Sequence, residues 1–259
     1  MEAYMGFAQV YDKFMDNIDY ESWCSYLIAL LNEYGVSQET GNKQGNKIIL
    51  DMGCGTGNVT QRLSHAGYDM IGIDNSQEML SLAMEKRGND ESILYLLQDM
   101  REFELYGTVA AVVSICDSMN YITDYDDLVQ VLKLVNNYLD PKGIFIFDLK
   151  TRKYYADIGE TVIAEDREDC SFIWDNYFDE SDNINEYQLS LFVKGEDGRY
   201  DKFTEEHYQR AYSLDEIKQA LEDGGLKFVT AYNAFTKEAA SEENDRVYVI
   251  AQKRENVKE

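Results

Sequence analysis

Histidine is almost missing from this chain, and cysteine is sparse. The 259 residues hold two histidines, His65 and His207, and four cysteines, Cys24, Cys54, Cys116 and Cys170. No C-x-x-C pair occurs, so zinc-ligand spacing is lacking and no metal is expected. The cysteine spacing also suggests no disulfide framework, which fits a reduced, cytoplasmic protein. Met1 to Asp12 has neither the basic stretch nor the apolar run of a signal peptide. No window approaches the roughly 18 apolar residues of a membrane span. Positive charge is scarce as well: 24 Lys+Arg stand against 49 Asp+Glu, a net charge of −25. The acidity is spread along the chain and is not a tail. Such a surface repels phosphate backbones and anionic lipid, so neither nucleic acid nor membrane is an expected partner.

What is present is globular. Hydrophobic residues make up 44% and aromatics 13%, including 20 tyrosines, which excludes a disordered or collagen-like chain. The length suits one large domain, or one domain with a lid. No repeat or low-complexity segment stands out. Tyr20–Tyr34 has a helical pattern with Trp23, Leu27, Leu30 and Leu31 on one face, and Gln38–Asn46 reads as a linker. Strands and helices then alternate. Strands are expected at Lys47–Met52, Asp69–Asp74, Ile93–Leu97, Val109–Ile115 and Ile144–Leu149, and helices at Val59–Ala66, Gln77–Lys86 and Asp126–Leu139. Continuous apolar strands between helices mean a parallel sheet covered on both faces. From about Val162 to Tyr212 apolar and polar residues alternate, with turns at Asp182-Asn183 and Glu196-Asp197-Gly198, which predicts an antiparallel meander with one wet face. Ser213 and Glu216 predict a capping box on a helix over Leu214–Leu221, ended by Gly224-Gly225. Leu226–Ala234 and Arg246–Gln252 then read as strands.

The sharpest local signal is Leu50-Asp51-Met52-Gly53-Cys54-Gly55-Thr56-Gly57-Asn58. A strand runs into three alternate glycines and then a helix, so the backbone can turn tightly and pass close to a ligand. The sixth position of a dinucleotide fingerprint is Asn58, and no G-x-x-x-x-G-K-[ST] occurs, so neither a dinucleotide site nor a P-loop is matched. Asp51 would repel a pyrophosphate but suits an ammonium or an ordered water. A nucleoside carrying an amino acid fits better. Asp74 ends the next strand, where a carboxylate can accept both ribose hydroxyls; it could equally cap the helix after Asn75-Ser76. Asp99 follows the third strand and could accept from an adenine amino group. Cys116-Asp117-Ser118-Met119-Asn120 follows the fourth. All four features fall at carboxyl ends of strands, where open α/β sheets bind ligands.

Leu50-Asp51-Met52-Gly53-Cys54-Gly55-Thr56-Gly57, then Ile73-Asp74-Asn75-Ser76 with Glu78-Met79-Leu80, then Gln98-Asp99-Met100, resembles the class I S-adenosylmethionine-dependent methyltransferases. The resemblance covers Ile48 to Lys253 and specifies the cofactor, not the substrate. It implies a Rossmann-like α/β fold with a seven-stranded sheet, an inserted antiparallel β lid and N-terminal helices. It also implies a helical cap over 1–46, a cofactor-binding domain over 47–158 and 213–259, and a β insertion over 159–212. By the same resemblance Gly53, Gly55 and Gly57 shape the loop around the methionine part. Asp74 binds the ribose, Asp99 the adenine amino group, Met100 lies near the adenine and the Cys116 backbone faces the methionine amine, with Asp51, Cys54, Asn75, Met79 and Asp117 as further cofactor-binding residues. Val10-Tyr11-Asp12, Asp19-Tyr20 and Phe203-Thr204-Glu205-Glu206-His207 are similar to small-molecule aminosugar N-methyltransferases. That makes Tyr11 an active-site residue beside the transferred methyl group, with Tyr20 and Trp23 as cofactor contacts.

Two readings of Tyr11 stay open, since it could simply pack an amphipathic helix; His207 could be a packed sheet histidine. No N/D-P-P-Y follows the fourth strand, so amino-group methylation of adenine or glutamine is not expected. The few candidate bases, His207, Asp117, Glu206 and the tyrosines, favour an amine or an already acidic hydroxyl as acceptor. His207 and Tyr11 are the candidate catalytic residues. The expected partner is a small-molecule acceptor, the expected product S-adenosylhomocysteine, and the expected state a monomer or homodimer. The rival readings are a non-catalytic cofactor-binding module and an NAD oxidoreductase, the latter weakened by Asn58 and Asp51.

Overall fold

Buried, β-branched runs build the centre of the molecule. The computed structural model describes residues 7–37 and 47–254, so the linker expected at Gln38–Asn46 and part of the 1–46 segment lie outside the described residues. In chain order the elements begin with helices α1 (Phe7–Phe14) and α2 (Tyr20–Glu33), then β1 (Ile48–Met52), α3 (Asn58–His65), β2 (Asp69–Asp74), α4 (Gln77–Arg87), β3 (Ile93–Leu97) and β4 (Val109–Ser114). A 3₁₀ turn at Ser118–Tyr121 leads to α5 (Tyr125–Tyr138), β5 (Leu139–Lys150) and α6 (Arg152–Ile158). Then come β6 (Thr161–Asp166), β7 (Cys170–Asp179), β8 (Ile184–Lys194), β9 (Tyr200–Arg210), α7 (Leu214–Asp223), β10 (Leu226–Asn233) and β11 (Arg246–Lys253).

Seven strands form one sheet in the order β10-β11-β5-β4-β1-β2-β3. β11 runs antiparallel to both β5 and β10, and the other neighbours are parallel. β1 lies between β2 and β4, so the chain order reverses there and a crevice opens at the strands' carboxyl ends. Strand residues alternate between two cores. Leu50, Met52 and Val112 pack with α5 and α7, whereas Ile49, Ala111 and Val113 pack with α2, α3 and α4. The expected capping box on α7 is present, with Ser213 and Glu216 bonded reciprocally.

The second sheet is a four-stranded antiparallel meander, β6-β7-β8-β9. Its inner face carries Cys170, Leu189 and Leu191, which pack with Val10 of α1. The outer face is wet, and includes Asp175, Glu186 and Glu206. Asn120, buried in the 3₁₀ turn, braces the two sheets: its Nδ2 donates to the carbonyls of Lys150 (3.0 Å) and Arg210 (2.8 Å). The helix α1 lies between the sheets. Asp12 accepts from Thr56 Oγ1 (2.7 Å) and Asn58 Nδ2 (2.8 Å) and pairs with Lys86. On its other side Lys13 pairs with Asp169, Asp16 just past the helix pairs with Arg167, and Phe14 packs edge-on against Phe172 at 4.7 Å.

Three differences from the sequence reading have physical causes. The strand expected at Ile144–Leu149 starts at Leu139, because the chain passes straight from α5 through Pro141-Lys142-Gly143 into the sheet. The helix α6 was not expected; Thr151 caps it by accepting from the Tyr154 N–H, and seven residues are too few for a periodic signal. Asp74 is not the cap of α4, since Ser76 holds that position and accepts from the Met79 N–H.

Gly57 shows why the loop needs glycine. Its φ is +76°, and a Cβ there would lie 2.3 Å from the hydroxyl of Tyr95, itself buried. Gly57→Ala should therefore destabilise the fold by about 1–3 kcal/mol, read as a lower urea midpoint. Tyr95→Phe in that background should return part of the loss by removing the clashing oxygen. An unchanged midpoint for Gly57→Ala would refute this packing account.

Candidate active site

The carboxyl ends of β1, β2, β3 and β4 open into a cavity of about 840 Å³, walled on the far side by β6–β9 and bordered by α1. The glycine loop forms the floor. Gly53 has φ +76°, and a Cβ there would meet Ser118 at 2.8 Å; Gly55 has open space at the same position. The cavity brings together Tyr11, Tyr20, Trp23, Asp51, Gly53, Cys54, Gly55, Asp74, Asn75, Met79, Asp99, Met100, Cys116, Asp117 and His207. Gly57 is the exception among the residues singled out from the sequence. It caps α3 behind the loop, and its glycine character answers to Tyr95, not to the cavity.

Carboxylates dominate the floor. Asp51 is buried and accepts from Thr60 Oγ1 at 2.5 Å. Burial outweighs that bond, the Asp74 charge adds to it, and the carboxyl is pushed up to about 7. Asp74 accepts from the Gly55 N–H (2.8 Å) through one oxygen and the Ser76 N–H (2.9 Å) through the other. Burial nevertheless raises its pKa, with those N–H bonds opposing. Asp99 differs. Arg101 Nε donates to its Oδ1 at 2.9 Å, and this guanidinium bond holds the carboxyl below its usual range. Arg101 also reaches Asp127 at 3.4 Å, so it spans the cavity rim from β3 to α5.

Beyond β4 the backbone is strained. Cys116 and Asp117 both take positive φ, 66° and 55°, which non-glycine residues seldom adopt. Bonds on every side fix the turn. The Asp117 N–H donates to Asp148 Oδ1 (3.0 Å), and its carboxylate accepts from Arg246 (2.8 Å), Lys150 (3.1 Å) and Gln209 (2.9 Å). Burial pushes Asp117 up, but Lys150 and Arg246 prevail and hold it low. That corrects the sequence reading of Asp117 as a base: a carboxylate held ionised by two cations is a poor proton acceptor. Sequence reasoning missed Asp148, Lys150, Gln209 and Arg246, which share no local pattern.

Tyr11 lies at the cavity among Tyr20, Cys116, Asp117 and Tyr121; burial raises its pKa well above the ordinary tyrosine value, so the phenol stays protonated. Trp23 packs against Phe235 at 5.1 Å, and the Arg246 guanidinium lies 5.2 Å from its ring centre. Across the cavity His207 stacks on Tyr187 at 4.6 Å and 13°. His207 is thus both a packed sheet residue and a cavity residue. His65 is exposed at the end of α3. Among the described residues no cluster of three or more His, Cys, Asp or Glu could hold a metal, and no helix is long and apolar enough to cross a membrane.

Residues 49–143 match the family model of a methyltransferase domain. A Bacillus subtilis protein named as a methyltransferase, YqeM, is 35% identical over 98% of this chain and 98% of its own length. The crystal structure of an S-adenosylmethionine-dependent methyltransferase from Clostridium acetobutylicum superposes with a TM-score of 0.82 at 29% identity, over 96% of this chain and 98% of that one. An amino pentose methyltransferase from Micromonospora echinaspora, solved with S-adenosylmethionine bound, superposes at 0.71 and 16% identity, over 95% and 97%. At that identity it shows the fold alone.

The Asp51 environment yields a pH prediction. Its folded pKa lies above the unfolded one, so the folded chain binds the extra proton between about pH 4 and 7, and stability from this group falls as pH rises through that window. Asp51→Asn removes the penalty and keeps the Thr60 bond. Relative to wild type it should gain on the order of 3–4 kcal/mol between pH 4 and pH 8. Urea unfolding at both pH values measures this; parallel pH curves for the two proteins would contradict it.

Proposed function

The chain belongs to the S-adenosylmethionine-dependent methyltransferases, and from that premise we propose that its acceptor is a small molecule methylated on nitrogen. The cavity carries this reading. At about 840 Å³ it suits a drug-sized ligand and a second small group, not a polymer, and it is closed off by β6–β9. A net charge of −25 speaks against tRNA or DNA as the acceptor. The amino pentose methyltransferase shares the fold and takes a compound of the favoured class. A cytoplasmic location fits the four free cysteines, and we take the chain as a monomer or homodimer.

The floor suits the cofactor. Gly55 leaves open space where a side chain would intrude, and Asp51 and Asp74 are carboxylates whose burial a cationic ligand would relieve. On this reading Gly53, Cys54 and Gly55 border the methionine part, with the Cys116 backbone and Asp51 near its amine. Asp74 and Asn75 take the ribose hydroxyls. Asp99, oriented by Arg101, takes the adenine amino group, with Met79 and Met100 against the ring. When bound, the cofactor supplies an activated methyl on a sulfonium, ready for in-line displacement. The chain's share is then alignment and exclusion of water. Tyr11 positions the acceptor or shields the methyl, and its raised pKa keeps it a donor. Tyr20 and Trp23 close the wall beside it.

Asp74→Ala should weaken S-adenosylmethionine binding about 10- to 100-fold by calorimetry, because hydrogen bonds to a charged group contribute about 1.5–3 kcal/mol. Unchanged affinity in a folded variant would sink the ribose assignment. Tyr11→Phe should lower turnover modestly and leave cofactor affinity intact; a large loss of affinity would overturn its acceptor-side role. The acceptor class is tested by release of S-adenosylhomocysteine across a panel of amine and hydroxyl metabolites. Turnover confined to hydroxyls would reverse the nitrogen assignment.

A further inference from the structure

The lid sheet carries a buried polar chain that the cofactor floor does not use. Glu205 and His207 are two residues apart on β9, so they share the face turned toward the cavity, and both are buried. Glu205 Oε2 lies 3.2 Å from His207 Nε2. His207 Nδ1 lies 3.4 Å from the hydroxyl of Tyr121, which lies 2.6 Å from the hydroxyl of Tyr187. Tyr187 pairs with His207 across β8 and β9 and lines the cavity.

The direction of this chain follows from an ionised Glu205. A carboxylate only accepts, so Nε2 of His207 then carries the proton toward Glu205 and Nδ1 is the accepting nitrogen. Tyr121 then donates to Nδ1, and Tyr187 donates to Tyr121. Tyr187 lines the cavity, so a proton arriving from the cavity enters the chain at its oxygen. Burial holds the Tyr121 phenol well above its ordinary pKa, so it relays protons and does not keep them as an anion. The other titratable groups around the chain are Tyr11 of α1, Asp117 of the strained turn and Tyr155 of α6.

We propose that Tyr187, Tyr121, His207 and Glu205 form a proton-accepting chain that converts an ammonium acceptor into a free amine. The proposal rests on the methyl-transfer reading of the cavity and narrows its acceptor to an amine that arrives protonated. The ammonium N–H bond breaks, and its electron pair stays on nitrogen to become the nucleophile. The proton passes to the Tyr187 oxygen as that hydroxyl gives its own to Tyr121, which gives its own to Nδ1 of His207. The resulting imidazolium faces the Glu205 carboxylate. Tyr187 is the chain's catalytic residue; Glu205 is a positioning residue acting through His207.

Nitrogen-15 spectra of the imidazole-labelled full chain test the chain without any substrate, because the protein has two histidines and His65→Gln identifies the other. The expected result is His207 as the Nε2–H tautomer, with its Nδ1 resonance moved by Tyr121→Phe. An Nδ1–H tautomer, or an Nδ1 resonance indifferent to Tyr121→Phe, overturns the chain. Methyl transfer is then measured with ethanolamine, glucosamine and glycine against ethylene glycol, glucose and glycolate. Turnover of an amine but not its hydroxyl counterpart supports the acceptor class, and turnover of a hydroxyl alone overturns it. With the amine that turns over, Glu205→Gln should lose about 100-fold in kcat/KM at pH 7 and recover as the pH rises toward the amine's own pKa. An equal loss at every pH marks a structural role and refutes the relay. Calorimetry with S-adenosylmethionine on the same samples separates the two failures: absence of binding by wild type defeats the methyltransferase reading, while the tautomer result judges the chain alone.

Discussion

One guanidinium answers two buried carboxylates, and much of the molecule hangs on that arrangement. Arg246 bonds Asp117 and Asp148 together, and Asp148 is fully buried. Burial pushes Asp148 up and burial of Arg246 works the other way, yet the ion pairs hold Arg246 charged. Removing a single partner from such a group strands an uncompensated charge, which costs more than the intact set contributes. The cluster also pins the left-handed pair Cys116-Asp117, a conformation that costs of order 1–3 kcal/mol per residue unless its surroundings enforce it. Through Gln209 it seats β9, and through the ring of Trp23 it seats α2. The floor, the lid and the N-terminal wall therefore share one electrostatic joint.

The fold was legible wherever local pattern decides structure. β2 and β3 follow their sequence patterns residue for residue, because short apolar-rich segments bounded by turns leave few alternatives. The glycine loop and the carboxylates after β1, β2 and β3 were legible because each sits at a fixed offset from a strand end. Gly57 shows the limit of that signal: spacing reports that a glycine is needed but not which neighbour needs it, and here Tyr95 packs where a side chain would lie. The ion cluster was illegible. Its members come from the ends of β4 and β5, from β9 and from β11, and only the sheet order brings them together. Glu205 lay between: it stands two residues from His207 on a strand, and the period-two rule puts both on one face.

Polar contacts fasten the N-terminal helix on two sides. Asp12 reaches the glycine loop while Lys13 and Asp16 reach the hairpin between β6 and β7, so α1 spans both walls of the cavity. Its apolar contacts include Val10 and Phe14 against the lid. Ion pairs with exposed partners are individually weak and sensitive to salt.

The position of β11 bears on how the chain reaches this state. It follows every other strand of the seven-stranded sheet in sequence, yet it sits between β5 and β10 and brings Arg246 with it. During synthesis β4 and β5 emerge long before their cation, so Asp117 and Asp148 must wait in water until the final strand threads into place. An emerging chain can thus assemble the parallel half first, but it cannot bury the end of β5 or set the strained turn beside it. The sheet order thus makes one end of the cavity depend on the other end of the chain: the ion cluster is complete only when this distant strand is in place.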